Sequence, residues 1–172
     1  MVRIIDIKQS VFADNDADAA RLRQQLKERG VFLVNLMSSP GAGKTSVLKR
    51  TVDALKDEFR IGVMEADIDS SVDAEALSEL GVSVIQLHTG GMCHLDADMT
   101  RQGLTELGAL GGEESPYDLV FLENVGNLVC PAEFDTGASR NMTILSVPEG
   151  DVREDLLQEL HLNKLLTVQQ PL

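Results

Sequence analysis

The stretch SSPGAGKTS, residues 38 to 46, stands between an apolar run, VFLVNLM (31 to 37), and a segment of helical spacing from about Lys44 to Lys56. Strand, glycine-rich turn and helix in that order make a phosphate-binding loop credible. Glycines at 41 and 43 let the backbone turn its N–H groups inward, and the helix start adds partial positive charge where phosphates sit. Lys44 is placed to reach the outer phosphates and Thr45 to ligate Mg²⁺. The usual pattern opens with Gly where this chain has Ser38, so the match is imperfect, and the plain alternative is a turn with no ligand. The candidate nucleotide contacts are Ser39, Gly41, Ala42, Gly43, Lys44, Thr45 and Ser46, with Gly126 from a later strand end.

Outward from the loop, further strand-like runs occupy 61 to 66, 82 to 87, 119 to 124 and 142 to 147, and helical patterns occupy 14 to 29, 71 to 80 and 94 to 110. This alternation predicts an α/β fold: a doubly wound, mostly parallel sheet with helices on both faces. Ligands in such sheets bind outside the carboxyl ends of the strands. Three segments are expected: a helical extension (1–30), the phosphate-loop domain (31–150) and a helical C-terminal segment (151–172).

Lys and Arg number 15 against 28 Asp and Glu, a formal charge of −13, which disfavours contact with a nucleic-acid backbone. No apolar run approaches the roughly 20 residues that span a bilayer. The opening MVRIIDIKQS lacks a signal-peptide pattern, so the expected location is the cytoplasm. There a Cys93–Cys130 disulfide is a poor expectation.

A phosphate loop needs an acidic partner for Mg²⁺. MEADIDSSVDA (64 to 74) and VFLENVGN (120 to 127) each end a strand in carboxylates. Taken alone, Asp67, Asp69 and Asp73 read as a solvated turn and helix cap; beside a phosphate loop, Asp67 is the strongest of them. Glu123, with Gly126 three residues on, allows a carboxylate to hold Mg²⁺ or its water while the glycine N–H contacts a γ-phosphate. Lys44, Asp67 and Glu123 are thus the candidate catalytic residues, and Thr45, Asp67 and Glu123 the candidate magnesium ligands.

Cys93 and His94 follow the third strand and Cys130 follows the fourth, at the same edge of the sheet. Two thiolates and an imidazole suit Zn²⁺ or Ni²⁺. By spacing alone, two buried cysteines with an incidental histidine are the stronger reading. His88 reads as a local hydrogen-bonding group.

Taken together, SSPGAGKTSVL, EADIDSSVDAEAL, HTGGMCHLDADM, ENVGNLVCPAEFDTG and ILSVPEG resemble the hydrogenase-maturation nickel-insertion GTPases of the HypB family, over about residues 31 to 150. The resemblance implies a parallel-sheet P-loop GTPase of the signal-recognition, partition and metallochaperone class that dimerises with GTP. It implies that Cys93, His94 and Cys130 match nickel or zinc ligands shared across a dimer interface, and that hydrogenase maturation proteins and the hydrogenase large subunit are partners. Zn²⁺ is expected to compete with Ni²⁺.

The N-terminal cysteine cluster or histidine-rich tail that some members of the family carry is not seen in this sequence, and after SVPEG it reads DVREDLLQELHLNKLLTVQQPL where the family continues to an Asn-Lys-x-Asp guanine-reading motif. NKLL (163 to 166) has Leu166 where the aspartate belongs, and it sits in a helical pattern (Leu156, Leu157, Leu160) rather than after a buried strand. The expectation is a truncated or rearranged copy with an unrelated terminal helix, which still binds phosphates and Mg²⁺ but loses guanine selectivity. The leading reading is a GTP-hydrolysing nickel metallochaperone. Its alternative is a metal- and partner-binding protein with little or no GTP hydrolysis, and a general phosphate-loop ATPase or kinase stands third.

Overall fold

In the computed structural model, residues 3–6, 15–66, 77–112, 114–145 and 166–169 are described. Seven strands form one sheet: β1 (Arg3–Asp6), β2 (Phe32–Ser38), β3 (Ile61–Ala66), β4 (Ser83–His88), β5 (Leu119–Glu123), β6 (Arg140–Leu145) and β7 (Leu166–Gln169), in the order β1-β4-β3-β5-β2-β6-β7. Every neighbouring pair is parallel. The helices that lie wholly within the described residues are α1 (Asn15–Glu28), α2 (Lys44–Leu55), α3 (Ala97–Leu107) and the single turn α4 (Cys130–Glu133). Among the described residues no helix is long and apolar enough to cross a membrane.

Alternation along the buried strands divides the core in two. Leu33, Met64, Ile85, Leu87, Val120 and Leu122 meet Leu22 and Leu26 of α1 and Met99 and Leu104 of α3. Leu36, Ile61, Val63, Val84, Phe121 and Ile144 point the other way, onto Leu48 and Val52 of α2. A side-chain period of two therefore builds the doubly wound sandwich from small aliphatic residues, with few aromatics needed. From β2 the chain passes to β3 and β4 on one side of the sheet, then returns through β5 to β6 on the other. The glycine-rich turn leaves β2 at that switch, where open α/β sheets take their ligands.

Several expectations change. The helical pattern of 94 to 110 starts only at Ala97, because the Asp96 carboxylate caps it by accepting from Met99 N at 2.7 Å, and it ends at left-handed Gly108. His94 is thereby left on the loop before the helix. β6 begins at Arg140, ahead of its apolar run, since pairing with β2 starts at Val34 opposite Arg140. The first 30 residues contribute a strand as well as a helix: Arg3–Asp6 pairs with Ile85–His88. Leu166 lies in β7, paired with Met142, not in a helix, so the edge of β6 is covered by backbone pairing that helical periodicity does not reveal. Asp67, Asp69, Asp73 and most of the expected 71 to 80 helix lie outside the described residues.

Candidate functional site: a phosphate loop beside a cysteine and histidine cluster

The turn from β2 to α2 carries two residues at positive φ, Gly41 at 74° and Gly43 at 87°. Gly43 caps α2 in the left-handed region with no side chain, which leaves the amides of the first turn open to an anion. Ser38, the departure from the usual pattern, is fully buried and donates its hydroxyl to Ser39 O at 2.9 Å, so a small hydroxyl replaces glycine at the end of the strand.

Over this turn lies a cavity of about 390 Å³ lined by Ser38, Pro40, Gly41, Gly43, Lys44, Thr45, Ser46, Glu65, Ala66, Glu123 and Gly126. Of the nucleotide contacts expected from sequence, Gly41, Gly43, Lys44, Thr45, Ser46 and Gly126 line it, while Ser39 and Ala42 do not. Ala42 is buried and packs with the α2-side core. Thr45 donates Oγ1–H to Glu123 Oε1 at 2.8 Å, and Lys44 Nζ stands 3.8 Å from the same oxygen. Two oxygens at adjacent corners of an octahedral Mg²⁺ shell lie about 3.0 Å apart for metal–oxygen bonds of about 2.1 Å. The Thr45–Glu123 pair therefore fits magnesium with little rearrangement.

Glu65 was not singled out from the sequence. It is 2% exposed, lines the cavity, and stands in register with Glu123 on the next strand and Gln86 on the other side. A signal was present: β3 and β5 end alike, in VMEA and FLEN, each burying a glutamate after two apolar residues. Asparagines 35, 124 and 141 were also missed. Asn35 donates to Asn141 Oδ1 and Asn124 donates to Asn35 Oδ1, both at 3.0 Å, while Val125 N donates to Asn124 Oδ1 at 2.9 Å. This amide ladder fixes the backbone just after Glu123.

The segment from Glu123 passes Gly126, packed against Pro40, and enters α4 at Cys130. The neighbouring Cys130 thiol, with local desolvation, pushes the Cys93 thiol above its ordinary value. Cys93 Sγ lies 3.9 Å from His94 Nδ1. The His94 ring stacks on Phe134 with centroids 3.7 Å apart and planes 11° from parallel. Burial lowers the His94 pKa, against the weaker opposing charges of Asp96 and Glu133, and a neutral imidazole is the metal-binding form. Sulfur and nitrogen on one tetrahedral ion stand roughly 3.5 Å apart for bonds of about 2.3 and 2.0 Å. A 3.9 Å separation is close to that bite. Among the described residues no group of three or more His, Cys, Asp or Glu is arranged so that it could hold a metal ion.

A family model described as the CobW/HypB/UreG nucleotide-binding domain matches residues 32–147. This chain belongs to that family. Within it, the chain is 45% identical over 149 residues to the hydrogenase maturation factor HypB of Rhizobium leguminosarum bv. viciae, covering 87% of this chain and 48% of that protein. It is 46% identical over 147 residues to the hydrogenase/urease maturation factor HypB of Helicobacter hepaticus, covering 86% and 60%. The chain thus spans half to three-fifths of the length of these relatives. The crystal structure of HypB from Helicobacter pylori in complex with nickel matches with a TM-score of 0.70 at 32% identity, covering 91% of this chain and 87% of that one. HypB from Archaeoglobus fulgidus matches with a TM-score of 0.73 at 30% identity, covering 92% and 91%. The GDP complex of the signal recognition particle 54 kDa protein from Aeropyrum pernix shares the fold, with a TM-score of 0.57 at 14% identity, covering 87% of this chain and 40% of that one.

Proposed function

We propose that this chain binds and hydrolyses GTP and uses the nucleotide state to control a nickel or zinc ion held by Cys93, His94 and Cys130, serving the maturation of a nickel hydrogenase. The observation that carries the reading is continuity: one segment runs from Glu123, bonded to Thr45 in the phosphate cavity, to Cys130, the first residue of α4. The HypB relatives and the nickel complex of the Helicobacter pylori protein support it.

In this reading the loop amides and Lys44 hold the phosphates and offset their charge. Thr45, Glu123 and Asp67 would hold a magnesium ion, which would supply charge stabilisation to the phosphates. Glu123 positions the attacking water and Gly126 offers its N–H to the terminal phosphate. Loss of that phosphate relaxes the Gly126 segment, and with it the seat of Cys130. The metal is cargo, and a second copy of the chain completes its coordination. Hydrogenase maturation proteins and the hydrogenase large subunit are the proposed recipients, in the cytoplasm.

The test is GTP hydrolysis by the purified chain against its Lys44→Ala variant. A rate well above that of the variant is expected, and equal background rates overturn the enzymatic reading.

A further inference from the structure

The two loops that carry the cysteines and histidine are joined to each other through α1. Asn15, its first residue, uses both ends of one side-chain amide. Its Oδ1 accepts from Ala97 N at 2.9 Å, three residues after His94, and its Nδ2 donates to Asp135 O at 3.0 Å, the residue after Phe134. Eight residues along the helix, Arg23 grips the same segment: Nη2 donates to Asp135 Oδ1 and Oδ2 at 2.6 and 2.7 Å, and Nε donates to Ala138 O at 2.8 Å. Asp135 Oδ1 also accepts from Gly137 N at 2.9 Å.

We propose that Asn15 and Arg23 are positioning residues for the Cys93, His94 and Cys130 site, setting from α1 the spacing of the two segments that bear the donors. The inference rests on the reading of those three residues as metal donors. As a source of stability the Arg23–Asp135 pair counts for little, since its side chains are 40% and 37% exposed and screened by water. The guanidinium nevertheless spans two acceptors of one segment, Asp135 through Nη2 and Ala138 O through Nε, and so fixes where Asp135 sits. Phe134, immediately before it, forms the face on which His94 stacks, so a shift of Asp135 moves the imidazole support and the Cys130 turn together. The Asn15 amide closes the frame by holding the start of α3 to the same backbone. Groups outside a metal shell that orient its ligands affect affinity about 10- to 100-fold.

Co²⁺ is a suitable probe, because its thiolate charge-transfer and ligand-field bands report donor geometry as well as occupancy. In the full chain, Asn15→Ala and Arg23→Ala are each expected to weaken Co²⁺ binding about tenfold and to alter the ligand-field bands, with nucleotide affinity unchanged. Arg23→Lys, which keeps the charge and loses the fork, should recover part of the affinity. Asn15→Asp, which keeps the acceptor for Ala97 and removes the donor to Asp135, should behave like Asn15→Ala. Parental Co²⁺ affinity and spectrum in both alanine variants, while Cys93→Ala loses the ion, overturn the positioning role and leave the metal site standing. Parental Co²⁺ binding by Cys93→Ala overturns the metal site and the inference with it. Loss of nucleotide binding together with Co²⁺ in Asn15→Ala and Asn15→Asp marks a global effect and also overturns it.

Discussion

Thr45 donates its hydroxyl hydrogen to Glu123 over 2.8 Å, tying the first turn of α2 to the end of β5 across 78 positions of sequence. The same oxygen of Glu123 lies 3.8 Å from Lys44 Nζ, so one carboxylate meets the two side chains that a phosphate loop directs at its ligand. Glu123→Gln keeps an acceptor for Thr45 and removes the charge. Nucleotide binding should survive, while single-turnover GTP hydrolysis should fall about 100-fold or more; a parental rate would remove Glu123 from the chemistry.

Glu65 sits in register beside Glu123 and equally buried. If it helps orient the magnesium shell, Glu65→Gln should raise the Mg²⁺ concentration for half-maximal hydrolysis about tenfold and leave nucleotide affinity in the absence of metal unchanged. A magnesium titration of the steady-state rate reads this directly.

The cysteines carry a separate expectation. Cys93→Ala and Cys130→Ala should each abolish Ni²⁺ and Zn²⁺ binding in equilibrium dialysis, and the parental chain should bind about one ion per dimer if a second copy completes the shell. Unchanged stoichiometry in either variant removes that residue from the site.

The far end of the sheet predicts an acid limb of stability. Arg60, just before β3, donates to both carboxylate oxygens of Asp118, just before β5, and its hydrogen bonds hold the Asp118 pKa down to about 2 from 3.8. A carboxyl with a depressed folded-state pKa stabilises fully above its unfolded value. That contribution is lost as pH falls from about 3.8 to about 2. Asp118→Asn should therefore flatten the pH dependence of unfolding in that window, and an unchanged acid limb in urea titrations would count against the pair.

Packing on the α1 and α3 side is tight at Gly103, where an added Cβ would lie 2.9 Å from Met64 Sδ and 3.1 Å from both Leu87 methyls. Gly103→Ala should destabilise the chain by about 1 to 3 kcal/mol, measured by chemical denaturation.

The central strands, the glycine-lysine turn and the Glu123 strand end were legible because each leaves a local mark: a short apolar run, two glycines before a lysine, a charge where burial resumes. Glu65 escaped because a single glutamate inside MEAD looks like the start of an acidic turn, and only the register with Glu123 shows that it faces the cavity. Asn15 and Arg23 escaped for a different reason: their partners lie 82 to 120 positions away, at Ala97, Asp135 and Ala138, a distance no periodicity encodes. The edge strands were hidden as well. Four-residue strands at 3–6 and 166–169 are fixed by pairing with β4 and β6, and Leu166 within a leucine-rich stretch mimics a helix.

Coupling between the phosphate cavity and the cysteines is the central claim, and one titration addresses it. Ni²⁺ affinity is measured for the full chain with GDP and again with a non-hydrolysable GTP analogue, each with Mg²⁺. Joined through the Glu123-to-Cys130 segment, the two states should differ about 5- to 150-fold in affinity, and Lys44→Ala should erase the difference. Equal Ni²⁺ affinity in both nucleotide states, with both nucleotides bound, would contradict the account.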